Sequence, residues 1–142
     1  MSLDKHKEKV LEAITERNLT AIMNDTKWQE LQRAVLNTLL FPPPYQAKYV
    51  LDDSRYPEDF ESDVWYWGDW IEGLMPFYQV EWIRVRARYY KERGRLVAPE
   101  LIDITDDFMK ILIEYSIPYR IDNESIYIYG YSASPGTLTR GR

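Results

Sequence analysis

Catalysis needs nucleophiles, acids, bases or metal ligands brought together, and this chain offers few of them. It has no cysteine and a single histidine, His6. Without a thiol or a second histidine there is no triad and no zinc site to build around it. Neither the P-loop pattern nor G-x-G-x-x-G occurs, so no glycine-rich phosphate loop is present. The stretch from Asp52 to Asp63 lacks the glycine and ligand spacing of a calcium loop. Two carboxylates such as Asp63 and Asp69 could in principle do glycosidase chemistry, but nothing singles them out. No catalytic residue, metal or cofactor is nominated.

What the chain does offer is material for recognition. Trp65-Tyr66-Trp67-Gly68-Asp69-Trp70 puts three tryptophans within six residues, with Asp63 and Asp69 beside them. Such a cluster can stack a sugar or a base, or it can anchor a small core, since Trp65 and Trp67 would share one face of a strand. The surrounding segment is acidic: Asp52, Asp53, Glu58, Asp59, Glu61, Asp63, Asp69 and Glu72 stand against Arg55 alone. Further on the sign reverses, with Arg84, Arg86, Arg88, Lys91, Arg93 and Arg95 against Glu92. The two regions either neutralise each other within the fold or meet charged partners, which raises association rate and selectivity.

The elements that must position these groups follow from periodicity. Val10, Leu11 and Ile14 mark a helix from Leu3 to about Arg17. A second starts after Asn24 or Asp25, repeats Trp28, Leu31, Val35 and Leu39, and ends at Pro42-Pro43-Pro44. Tyr45 to Leu51 reads as a strand, Asp52 to Phe60 as a polar loop, and Val64 to Trp67 as a short aromatic strand. Tyr78 to Tyr90 reads as one long strand. Ile83, Val85, Ala87 and Tyr89 lie on one of its faces, and Trp82, Arg84, Arg86, Arg88 and Tyr90 on the other. A third helix is capped at Asp103 or Thr105, buries Phe108, Ile111, Leu112 and Tyr115, and stops at Ile117-Pro118. Tyr119 to Ile121 and Ser125 to Tyr131 form a hairpin. If strand 78–90 neighbours strand 125–131, guanidinium groups can lie over phenol rings on a face carrying Trp82, Arg84, Arg86, Arg88, Tyr127 and Tyr129. The segment from Ser132 to Arg142 is expected to add nothing to the core.

Length and composition agree with one folded domain. Hydrophobic residues make up 45% and charged residues 29% of 142. The expected class is α+β: a mainly antiparallel sheet of four to six strands, with two N-terminal helices and one later helix on one face. Residues 1–23 are read as a helical extension, 24–131 as the domain, and 132–142 as a flexible tail. Five Trp and twelve Tyr are more aromatic residues than a core of this size hides, so some should line a surface. A net charge of −5 argues against a general nucleic-acid binder. The charged N-terminus and short apolar runs argue against secretion and the membrane, so a cytoplasmic protein of bacterial style is expected.

Asn24-Asp25-Thr26-Lys27-Trp28, the pair Trp67 and Trp70 around Asp69, Val80-Glu81-Trp82-Ile83, and Ile117-Pro118-Tyr119 leading to Ile128-Tyr129-Gly130-Tyr131 resemble a small uncharacterised bacterial family of unknown function, over about residues 24–131. The resemblance brings no activity. In type, the chain is similar to bacterial immunity proteins that neutralise toxins, which are often small, acidic and cysteine-poor. The functional expectation is a non-catalytic protein-binding module with a cationic partner. Asp59, Glu61, Asp63, Trp65, Trp67, Asp69 and Trp70 are its candidate contacts, with Trp82, Arg84, Arg86 and Arg88 as a second face for a homodimer or a nucleotide. The rival is a small-ligand or glycan-binding domain using a Trp-rich groove, or a protein with no recognisable activity. Reversing Asp59, Glu61 and Asp63 to lysine is expected to abolish capture while leaving the fold intact.

Overall fold

Each helix forms where the apolar spacing predicts, and local hydrogen bonds explain where each one stops. In the computed structural model, which describes residues 3–140, α1 spans Leu3–Glu16, α2 Asp25–Thr38 and α3 Thr105–Glu114. The Leu19 N–H bonds back to the Ile14 carbonyl and Asn18 N–H to Thr15, with Asn18 at φ 56°. This closing motif needs a left-handed residue, which asparagine tolerates well. The same device ends α3: Ile117 N–H reaches Leu112 and Ser116 N–H reaches Ile113, with Ser116 at φ 53°. The helix therefore closes at Ser116 and Ile117, before Pro118 is reached. Asn24 caps α2 by accepting the Lys27 N–H at 2.8 Å.

Five antiparallel strands form the main sheet, in the order β3 (Arg55–Tyr56), β2 (Tyr45–Tyr49), β4 (Val80–Val85), β8 (Ser125–Tyr129), β7 (Arg120–Asp122). Ile83 pairs with Ala47 and Ile128, and Val85 with Tyr45 and Ile126. These residues join Trp28, Leu31 and Val35 of α2 and Phe108, Ile111 and Leu112 of α3 in one core. The pairing of β4 with β8, which alternation left open, is present. Val10 of α1 is buried outside that core. There α1 packs on the 3-10 turn Phe77–Gln79, where His6 Nδ1 lies 2.7 Å from the Tyr78 hydroxyl.

Three expectations are corrected. The long strand 78–90 is broken: β4 ends at Val85, and β5 (Arg88–Lys91) pairs with β6 (Glu100–Asp103) in a separate ribbon. The Arg88 N–H turns back to the Arg86 carbonyl at 2.8 Å, an i to i+2 turn that alternation of side chains cannot reveal. Residues 64–67 form no strand; the Val64 carbonyl accepts one bond, from Tyr90. The segment after Ser132 is tied into the fold as far as it is described, though outside the main core cluster. Leu138 is buried and Thr139 bridges to Tyr119. Thr20 and Ala21 (β1) pair with Tyr131 and Ser132 (β9), which ties the N-terminal stretch to the end of the hairpin. The rest of the expected tail, residues 141 and 142, lies outside the described residues. Gly130 is required where it stands, because a Cβ there would run into the Val80 carbonyl.

Among the described residues no helix is long and apolar enough to cross a membrane.

Candidate functional site

The sheet face away from the helices was expected to present arginines. Strand pairing does bring Arg84 beside Gln46 and Tyr127, and Trp82 beside Lys48 and Tyr129. The acidic loop then covers it. Gln46 Nε2 donates to the Pro57 carbonyl at 2.8 Å and Arg86 Nη1 to the Phe60 carbonyl at 3.1 Å, so sheet side chains hold the loop by its backbone. Phe60 is buried, and the Arg84 and Arg86 guanidinium groups lie 5.6 and 5.3 Å from its ring centre. Glu61 meets Arg84 at 3.1 Å, and Asp63 meets Arg88 at 2.7 Å and Arg86 at 4.0 Å. Arg88 also pairs with Glu124. Arg84 and Arg86 end 7% and 5% exposed, and Trp82 is buried edge-on against Tyr127. The two charge runs thus neutralise each other only where Glu61 and Asp63 meet Arg84, Arg86 and Arg88, and there Trp82, Arg84 and Arg86 are buried. The expected ring contacts are made by another residue: Arg120 lies 4.6 Å over Tyr127 and 6.0 Å over Tyr129.

The tryptophan cluster divides. Trp70 is core, packed edge-on to Tyr45 and Phe108, and its indole N–H donates to the Pro43 carbonyl at 2.7 Å. Asp69 is a turn residue: its Oδ1 accepts the N–H groups of Ile71 and Glu72 at 3.0 Å each. Trp65 and Trp67 are 55% and 54% exposed, with Tyr66 exposed between them. Both rings are backed. Trp65 lies 5.2 Å from Tyr90, and Trp67 lies 6.1 Å from Tyr89 and 6.2 Å from Phe41. Glu58 and Asp59, just before them in the chain, make no ion pair among the described residues. Of the nominated residues, Asp59, Glu61, Trp65, Trp67 and Asp69 remain exposed, but Glu61 is paired with Arg84 and Asp69 holds a turn, which leaves Asp59, Trp65 and Trp67 uncommitted. Sequence reasoning placed Tyr66 in this cluster but missed Tyr90, which it put on the arginine face. The bond from Tyr90 N–H to the Val64 carbonyl, the Asp63–Arg88 ion pair and the ring contacts bring those two stretches together, and nothing local signals them.

A second polar cluster also went unpredicted. Glu81 receives Arg17 Nη2 and Lys48 Nζ, each at 2.8 Å. Burial raises its carboxyl, but the bonds and charges of those two cations outweigh that and hold it below the ordinary 4.5. A depressed folded value stabilises the fold above the ordinary range and is lost as pH falls through the lower value. Stability should therefore decline on acidification below 4.5. Glu81→Gln should flatten that decline in a pH series of urea melts, and identical slopes for both proteins would count against this pairing.

The family described as Family of unknown function (DUF6678) matches residues 10–135. The chain belongs to it. The DUF6678 match starts at Val10 in α1 and passes Tyr131, so it contains all four motifs that carried the resemblance. No curated protein and no solved structure matches the chain. DUF6678 assigns no activity, and the aromatic surface must be interpreted from its chemistry.

Proposed function

We propose that this protein is a non-catalytic protein-binding module, of the kind that neutralises a toxin by capping it, and that its partner is cationic. The observation that carries the reading is the pair Trp65 and Trp67, each more than half exposed yet backed by tyrosine rings. Large rings held in place lose little entropy on binding, and Trp and Tyr dominate binding hot spots. Glu58 and Asp59 precede the pair without cationic neighbours within 4 Å among the described residues, and they supply the charge that would steer a basic partner. A reducing bacterial cytoplasm is the setting this implies, since the chain has no cysteine to protect.

The test is capture from the native host's lysate with wild type and with a Trp65→Ala/Trp67→Ala/Asp59→Lys variant. A basic protein held by wild type should bind the variant at least about thirty-fold more weakly. Equal retention by both would remove the proposal. Because Trp70 is core, a ligand groove built on all three tryptophans is not an equal rival.

A further inference from the structure

The sequence attached no role to Arg17, Glu81 or Arg120, yet the fold gathers them at one concavity on the outer side of the sheet. It has a volume of about 530 Å³, within the range of small-ligand sites. Trp82 and Tyr129, paired across β4 and β8, supply its aromatic side. Arg17 enters from the end of α1, and Arg120 from β7. Ser132 and Ala133 close it from the segment after β8.

We propose that this cleft binds a small planar anion: an aromatic or heteroaromatic ring carrying one carboxylate or phosphate. The charged residues that line the cleft are two cations, Arg17 and Arg120, and one carboxylate, Glu81; just outside the lining, Lys48 neutralises Glu81, Asp53 acts on Arg17 and Asp122 lies 3.5 Å from Arg120. Glu81 does not repel the anion outright, because two cations already share it. A guanidinium has five N–H donors. Arg17 spends bonds on the Val50 carbonyl and Glu81, and its side chain stays 40% exposed. Arg120 donates to the Tyr129 hydroxyl at 3.1 Å and sits 3.5 Å from Asp122. Both retain donors in the planar fork that suits an oxyanion. The Ser132 hydroxyl accepts the Ser134 N–H at 3.0 Å, which leaves its own proton to donate. Tyr129, with the largely buried Trp82 beside it, supplies the apolar wall for a ring. Trp65 and Trp67 do not line this cleft, so the inference stands apart from the protein-binding reading.

Calorimetric titration of the full chain tests it with four probes: adenosine monophosphate, indole-3-carboxylate, adenosine and inorganic phosphate. Saturable binding of either ring-bearing anion, well ahead of adenosine and phosphate alone, is the expected result. The better of the two identifies the head group. Arg120→Gln should weaken that binding about tenfold or more. Ala133→Trp, which fills the cleft from an exposed position without touching an ion pair, should abolish it. Thermal melts establish that both variants fold. No saturable binding by either ring-bearing anion, equal binding of adenosine or phosphate, or affinity unchanged in both folded variants would overturn the assignment.

Discussion

Asp63→Ala is expected to destabilise the protein by about 3–5 kcal/mol, the cost of leaving a buried cation without its partner. Asp63 is 10% exposed at its side chain and is shared by Arg88 and Arg86. Arg88 would keep Glu124 and a 3.9 Å approach to Asp103. Arg86 would keep the Phe60 carbonyl and ring and the more distant charge of Glu61, and its Nε already has no hydrogen-bond partner. Burial and the neighbouring Arg84 already lower the Arg86 guanidinium, with Asp63 opposing them. A protein of this size has roughly 5–15 kcal/mol in hand, so the variant should melt about 10–20 °C lower. Adding Arg86→Met should recover much of the loss, because an apolar side chain needs no counter-charge. A single-variant loss under about 1 kcal/mol would show that water reaches this cluster freely. The same geometry overturns the expectation that lysine at 59, 61 and 63 spares the fold. At position 63 a lysine would face two arginines, so functional charge reversal belongs at Asp59.

Trp70→Ala should cost a similar amount, about 3–5 kcal/mol. The residue is 1% exposed, its ring meets Tyr45 and Phe108, and its N–H satisfies the Pro43 carbonyl. Its own carbonyl accepts Gln32 Nε2 from α2 at 2.7 Å. Trp70→Phe keeps most of the packing and isolates the hydrogen bond, with an expected loss of about 1–3 kcal/mol. Urea melts read both variants. Trp70 also anchors the stretch that displays Trp65 and Trp67, so any partner those rings bind should be captured less well by Trp70→Ala even below its melting temperature. A Trp70→Ala protein as stable as Trp65→Ala would refute the division of the cluster into one core ring and two surface rings.

Much of this architecture was legible because helix and strand periods are written locally. Trp28, Leu31 and Val35 announce α2, and Ile126 and Ile128 set the face of β8 against Ile83 and Val85. The kink at Arg86 and Ala87 was not legible, since alternation continues through it while the backbone changes partner. Nor was the closure of α3 at Ser116, where a serine adopts a conformation usually left to glycine or asparagine.

Composition and local periodicity were enough for the α+β class, the lack of a cysteine or a second histidine, and the segregation of acidic and basic stretches. Each of these depends on composition or on neighbours within a few residues. How the charges are used depends on contacts between distant segments. Asp63 and Arg86 are 23 positions apart, and whether they cancel or face solvent depends on where the loop lands. Such contacts also set which tryptophans are open, because Trp65, Trp67 and Trp70 have the same chemistry and differ only in what packs around them. The cleft is the extreme case. Arg17, Glu81 and Arg120 become neighbours only when the end of α1, the bulged start of β4 and the edge strand β7 are assembled, since side-chain chemistry becomes a site only through that long-range closure.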